Sequence, residues 1–388
     1  MTERCALSYV LVLLVLELVS SRSNINLVND VTKETVNRIK RQDGNCVATD
    51  TTVRGGEACS GQVIFEEDFS TFRKDVWQIE HYIPVTSHQE SPFVSYQNDK
   101  SLVYVADGYL HIAPKLQEQM PGFTNESIYL GTLDLFKGCT SRAEECYRQA
   151  SGADILPPIA SARVRSVKFA FTYGTIHVRA KMPQGDWLYP ELLLEPYFKK
   201  YGHSNFASGV MKIAAARGNR ELRVGEEEFG NEILYGGAVM NLVCRDELLS
   251  NKLLEDGQWG DQFHNYSLTW TPGYISLSVD GAEWARAVAP GGLRTRFHYT
   301  YCKHLPIEKL YTGTKMAPFD IDFYISLGVA AGGITEFPDD SYSVGGRQKP
   351  WRNSERKGML SFWEDLPAWQ YTWTQPELLI DHIKVVAL

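Results

Sequence analysis

The residues best suited to chemistry lie between positions 187 and 228. Glu191 and Glu195 follow two aromatic residues, Trp187 and Tyr189, and the run Glu226-Glu227-Glu228 comes soon after. Paired carboxylates commonly combine a general acid with a general base or nucleophile. Between these acids stands Ser208-Gly209-Val210-Met211-Lys212-Ile213-Ala214-Ala215-Ala216-Arg217-Gly218-Asn219, which contains no carboxylate. Its ionisable side chains are Lys212 and Arg217. No pair among the flanking acids has the spacing of a catalytic strand, and these acids are expected to be solvated surface charges. No C-x-x-C pair is present, so neither a structural zinc site nor any other cofactor is expected.

From about residue 61 onward the elements that would position these residues read as β. Val63-Ile64-Phe65 opens a strand, and Asp107-Gly108 marks a turn before Tyr109-Leu110-His111-Ile112-Ala113. In the run 173–180, Ile176, Val178 and Ala180 share one face. Tyr266, Leu268 and Trp270 alternate with Ser267 and Thr269. Ile275, Leu277 and Val279 alternate with serines up to the hairpin signal Asp280-Gly281. Residues 323–330 form a near-continuous apolar strand, and 378–386 closes the chain. Helical signals are few, the best being a short helix from Arg245 to Asp256. Many short strands punctuated by Gly and Pro predict an all-β, two-sheet β-sandwich.

Composition narrows the class. The 388 residues are 44% hydrophobic, enough for a sizeable core. Aromatics make up 12%, which suits either rings stacking on sugar faces or any large β protein. A net charge of −8 argues against nucleic acid or an anionic membrane as the main partner. Residues 1–22 read as a signal peptide, with Arg4 before the apolar run Ala6–Leu16 and small residues at Ser20 and Ser21. The run is too short to span a bilayer, so a secreted, extracellular protein with no membrane span is expected. Residues 23–60 are polar and turn-rich, without strand or helix pattern. Within them Arg38-Ile39-Lys40-Arg41 is either a processing site or a solvated basic stretch.

Removing the signal with Cys5 leaves Cys46, Cys59, Cys139, Cys146, Cys244 and Cys302, an even set that fits disulfides of a secreted protein. The near neighbours Cys46–Cys59 and Cys139–Cys146 are the local pairings, leaving Cys244–Cys302; connectivity stays open at this level. Asn125-Glu126-Ser127 and Asn265-Tyr266-Ser267 are glycosylation sequons, the second inside a strand pattern.

Across residues 61–388 the chain resembles the laminarinase-type branch of glycoside hydrolase family 16. More closely, it resembles the invertebrate β-1,3-glucan-binding proteins, also called Gram-negative bacteria-binding proteins. The resemblance rests on collinear segments: Gly61-Gln62-Val63-Ile64-Phe65-Glu66-Glu67-Asp68-Phe69, Pro157-Pro158-Ile159-Ala160-Ser161-Ala162-Arg163, Arg179-Ala180-Lys181-Met182-Pro183, Gly185-Asp186-Trp187-Leu188-Tyr189-Pro190, Trp270-Thr271-Pro272, Phe337-Pro338-Asp339 and Lys349-Pro350-Trp351.

That resemblance implies a concanavalin-like jelly roll with a concave glycan-binding cleft. It implies a strand that in active members carries three acids, the outer two as nucleophile and acid/base roughly 5–5.5 Å apart. A β-bulge lets the third acid return to the face of the first two. Here Val210 occupies the nucleophile position, Lys212 that of the assisting acid and Ala215 that of the acid/base. Valine cannot form a glycosyl ester and alanine cannot protonate a leaving oxygen, so a pseudoenzyme is expected. Trp187 is kept, whereas Tyr189 and Leu193 stand where relatives carry tryptophans. Asn98, Arg217 and His264 match positions lining the cleft, and with Trp187, Tyr189 and Lys212 they are the ligand-binding candidates. Lys212 is either an ammonium offered to anionic glycans or the partner of a nearby glutamate. The expected partner is β-1,3-glucan or a bacterial cell-wall glycan recognised in innate immunity, and the alternative is a scaffold that docks an immune-cascade protease. An active glucanase is disfavoured. The relatives' additional N-terminal immunoglobulin-like domain has no counterpart in residues 23–60.

Overall fold

The computed structural model describes residues 46–84, 90–298 and 300–388. The signal-like segment and the basic cluster at 38–41 lie outside the described residues. The chain divides into two units, residues 1–48 and 49–388, and the sandwich belongs to the second. No helix among the described residues is long and apolar enough to cross a membrane.

Two large sheets make the sandwich. In the first, of ten strands, Phe323–Ala331 pairs antiparallel with Leu188–Pro196, which pairs with Val210–Ala215. Ile233–Val239 and Leu249–Leu253 follow in order. Arg163–Ser166 also pairs with Phe323–Ala331. The second sheet, of eight strands, centres on Gly174–Lys181 between His264–Trp270 and Leu378–Val386. Hydrophobic alternation accounts for the facing. Ile176, Val178 and Ala180 are buried while Thr175, His177 and Arg179 are only half-buried. Between the sheets, Trp270 packs edge-on against Phe171, Tyr173 and Phe323 at centroid distances of 5.8, 5.1 and 5.3 Å. Burying each large apolar side chain there contributes about 1.5–3 kcal/mol.

The strand Val210–Ala215 carries the expected bulge. Lys212 faces Gly237 whereas Ala215 faces Tyr235, so three steps on one strand match two on the other. The neighbour on the opposite side shows the same extra residue, with Leu192 opposite Ala214 and Leu193 opposite Lys212. Met211, Ile213 and Ala214 enter the main core, while Val210 sits in a separate small cluster with Leu193 and Val239. Strand and bulge therefore turn Val210 and Lys212 away from the core.

Two expectations are corrected. Residues 48–59 are not patternless: Ala48–Val53 and Gly56–Cys59 form a hairpin that joins the first sheet through Phe171–Thr172. The turn residues Arg54 and Gly55 have φ of 48° and 79°, the left-handed pair of a tight hairpin. The strand's threonines carry no apolar alternation, which hid it. The second correction concerns 245–256, which is no single helix. A 3-10 turn, Arg245–Leu248, passes into the strand Leu249–Leu253 because that strand completes pairing with Ile233–Val239.

The disulfides Cys139–Cys146 and Cys244–Cys302 form as the local pairing suggested, and Cys46 and Cys59 are each disulfide-bonded. The second bridge closes 58 residues. Opening it with Cys244→Ser/Cys302→Ser should cost about 4 kcal/mol, read as a lower urea midpoint. An unchanged midpoint would show that the bridge adds nothing to a structure already held by its sheets.

Candidate functional site

A pocket of about 180 Å³ opens on the outer face of the first sheet. Its floor comes from Arg163 and Arg165, Leu193 and Glu195, Val210 and Lys212, and Tyr324, which stand on four strands. Its rim comes from loops: Thr140 and Ser141 on one side, Lys199, His203 and Phe206 on another.

Beside the floor lies a buried ion cluster. Lys212 is 3% exposed, and its Nζ is 3.0 Å from Glu90 and 3.2 Å from Glu336. Arg245 reaches the same two carboxylates at 2.8 and 3.1 Å. Arg217 lies 3.2 Å from Glu336 and its Nε donates to the Glu336 carbonyl at 2.8 Å. The Tyr235 hydroxyl also donates to the Glu336 carboxylate. Burial alone would raise the Glu336 carboxyl. Lys212, Arg217 and Arg245 outweigh burial and hold it far below the usual carboxylate range, with the Tyr235 bond assisting. Buried and within 3.2 Å of both carboxylates, the Lys212 ammonium is the partner of glutamates.

A second cluster surrounds Arg163. Its guanidinium is 2.6 Å from Glu195, 3.7 Å from Glu191 and 3.6 Å from Glu80. The Tyr96 hydroxyl donates to Glu191 at 2.8 Å. Glu191 and Glu195 are thus not the solvated charges that spacing suggested. Register explains the contact: Arg163, Gly328 and Glu191 lie opposite one another on three adjacent strands. A Cβ on Gly328 would stand 2.5 Å from the Glu191 carboxylate, so glycine is what lets the guanidinium and the carboxylate meet. Burial raises the Glu80 carboxyl against the pull of Arg163.

The aromatic candidates are covered. Trp187 is 2% exposed and Tyr189 fully buried. Phe337 and Trp351 pack edge-on against Trp187 at 5.3 and 5.1 Å, and Phe337 covers Tyr189 at 5.9 Å. Both candidate rings are thus packed against protein in this structure. His264 lies on the second sheet, hydrogen-bonded to Asp280 at 2.6 Å and packed on Trp259 at 5.0 Å. Asn98 is exposed, with its backbone N–H donating to His81 at 3.0 Å. Of the positions singled out in the sequence, Leu193, Glu195, Val210 and Lys212 line the pocket, whereas Asn98, Trp187, Tyr189, Glu191, Ala215, Arg217 and His264 do not. Glu80, Glu90, Arg245 and Glu336 escaped the sequence reading. Phe337, beside Glu336 in a segment of the resemblance, was the one signal near any of them.

The outward side chains on Val210–Ala215 are those of Val210, Lys212 and Ala215. Two are hydrocarbon, and the third is an ammonium held between carboxylates. Removing that ammonium takes a buried hydrogen-bonding partner from Glu90 and Glu336, which keep Arg245 and Arg217, so Lys212→Ala should destabilise by about 2 kcal/mol, measured by urea unfolding at pH 7. A carboxyl depressed in the folded state stabilises above its unfolded value, about 4.3, and loses that contribution as pH falls below it. Stability should therefore drop below about pH 4, and Glu336→Gln should flatten that part of the curve. Parallel curves for variant and wild type would remove Glu336 from the account.

No protein-family model matches the chain. Among solved structures, it resembles the laminarinase catalytic domain of Thermotoga maritima, with TM-score 0.51 and 18% identity over 85% of this chain and 99% of that one. An endo-1,3-β-glucanase catalytic domain of Thermotoga petrophila matches with TM-score 0.51 and 17% identity, over 84% and 98%. At such identities the likeness shows the sandwich fold alone. Sequence relatives are nearer. A β-1,3-glucan-binding protein of Hyphantria cunea is 59% identical over 348 residues, 88% of this chain and 72% of the relative. β-1,3-glucan-binding protein 1 of Manduca sexta is 36% identical over 349 residues, 86% of this chain and 66% of the relative. Gram-negative bacteria-binding protein 1 of Drosophila melanogaster is 36% identical over 343 residues, with the same two shares. With 59% identity across 72% of the Hyphantria relative, the chain belongs to the β-1,3-glucan-binding and Gram-negative bacteria-binding protein family of insects.

Proposed function

We propose that this chain is a secreted, non-catalytic pattern-recognition protein of innate immunity that binds β-1,3-glucan or a bacterial surface glycan. The observation that carries the reading is the Val210–Ala215 strand. A retaining glycosidase needs two carboxylates roughly 5–5.5 Å apart, and this strand offers valine, a paired lysine and alanine in their place. The relatives are named for binding, not cleavage. Disulfides suit an oxidising compartment, and the exposed asparagines Asn125 and Asn265 suit glycosylation. Contact with the glycan falls to the pocket floor and rim, since Trp187 and Tyr189 are covered.

A sugar-independent scaffold docking an immune-cascade protease is the second reading. It is favoured by the segment 293–315, where Arg294, Arg296, Lys303, Lys309 and Lys315 face a single carboxylate, Glu308, in a chain of net charge −8. Arg296, Lys303, Lys309 and Lys315 are exposed, a surface complementary to an acidic segment of a partner.

Sedimentation with insoluble β-1,3-glucan separates the two. The first reading expects depletion of the protein, competed by laminarin and not seen with cellulose, with no new reducing ends released from laminarin. Retention in solution with every glycan favours the scaffold, and release of reducing ends would overturn the non-catalytic reading.

A further inference from the structure

Sugar rings present flat C–H faces, and proteins hold such faces with exposed aromatic rings. Trp187 and Tyr189 are covered, but another pair of rings is not. A hairpin outside both large sheets pairs Thr132–Asp134 with Tyr147–Gln149. Phe136 follows its first strand and Tyr147 opens the second. Their ring centroids are 6.1 Å apart at an interplanar angle of 27°. Phe136 is 56% exposed and Tyr147 43%. Two neighbouring, half-exposed rings thus stand together at the surface.

The hairpin is tied to the pocket. Thr140 and Ser141, in the connection between its strands, line the pocket rim. Thr140 is held from both sides: its hydroxyl accepts from the His81 N–H at 2.8 Å and its N–H donates to the His81 carbonyl at 3.0 Å. The Cys139–Cys146 bridge closes the same connection, and the Leu135 N–H donates to the Cys146 carbonyl at 2.7 Å. Phe136 is four residues from Thr140, and Tyr147 is next to Cys146. The rings therefore stand on a short, cross-linked segment, and little ordering entropy is lost when a ligand docks on them.

We infer that Phe136 and Tyr147 form an aromatic platform at the pocket rim, on which a neutral β-linked glucan lays a sugar face while an adjoining part of the chain enters the pocket. The inference rests on the glycan-binding reading above and deepens it. The platform itself is uncharged, so it rewards an unsubstituted sugar face and does nothing for phosphate or carboxylate substituents. It also relocates stacking from the sheet to a loop, which suits a sheet face already filled by Phe337 and Trp351.

The test compares laminarin affinity by titration calorimetry for the full secreted protein, Phe136→Ala/Tyr147→Ala and Tyr147→Phe. The double variant should bind about tenfold more weakly. Tyr147→Phe, which keeps the ring, should stay within about twofold. Both should melt with the wild type, because the rings are exposed. Wild-type affinity in the double variant overturns the platform and leaves the glycan-binding reading standing. No laminarin binding by the wild type overturns that reading and the platform with it. A loss as large in Tyr147→Phe as in the double variant assigns the effect to the hydroxyl and also overturns the platform.

Discussion

The site depends on one buried carboxylate. Glu336 is held by Lys212, Arg217, Arg245 and Tyr235, and Glu90 shares two of those cations. These residues come from the bulged strand, from its neighbour and from loops that follow other strands. A buried ion pair contributes little net stability, because desolvation offsets most of its attraction, yet removing one partner is costly. The consequence is positional. The loops bearing Glu90 and Glu336 are drawn down onto the strand face, and Phe337, next in sequence to Glu336, is carried onto Trp187 and Tyr189.

The cluster and the aromatic cover are thus one arrangement. An acidic strand would repel Glu90 and Glu336. A lysine at position 212 attracts them, and the rings that follow close the floor. What remains open is a pocket bounded by Arg163, Glu195 and Lys212 below and by loops above. The loops are where an uncovered aromatic surface survives, on the hairpin closed by Cys139 and Cys146. Sandwich folds host unrelated functions through such loops while their strands stay alike. The laminarinase catalytic domains share the sandwich at 17–18% identity, and the side chains on the sheet face decide what each sandwich can do.

Much of this was legible in order along the chain. Alternation set the strands at 174–181, 264–270 and 274–279, because facing on a strand repeats every second residue and needs no distant partner. The hairpin at Asp280-Gly281 was legible from its turn residues, and the extra residue of the bulge from what the family resemblance implied. Polar strands at 48–59 were not, since threonines at a sheet edge leave no apolar period. The run 245–256 misled because a charged, leucine-containing stretch suits a helix until a neighbouring strand offers its hydrogen bonds.

The sequence by itself determined the absences on the strand: position 210 is valine and position 215 alanine, and no folding supplies a carboxylate to either. It also determined that Lys212 stands between them. Only the tertiary structure decided what that lysine does, because its partner Glu336 is 124 residues away and nothing local marks the pair. The same holds for Glu191 and Glu195, which read as surface charges until Gly328 admits the guanidinium of Arg163. Burial of Trp187 and Tyr189 was likewise set by rings more than a hundred residues on. Side-chain identity and strand period are local quantities, whereas burial and ion pairing are fixed by which distant segments the fold brings within a few ångströms.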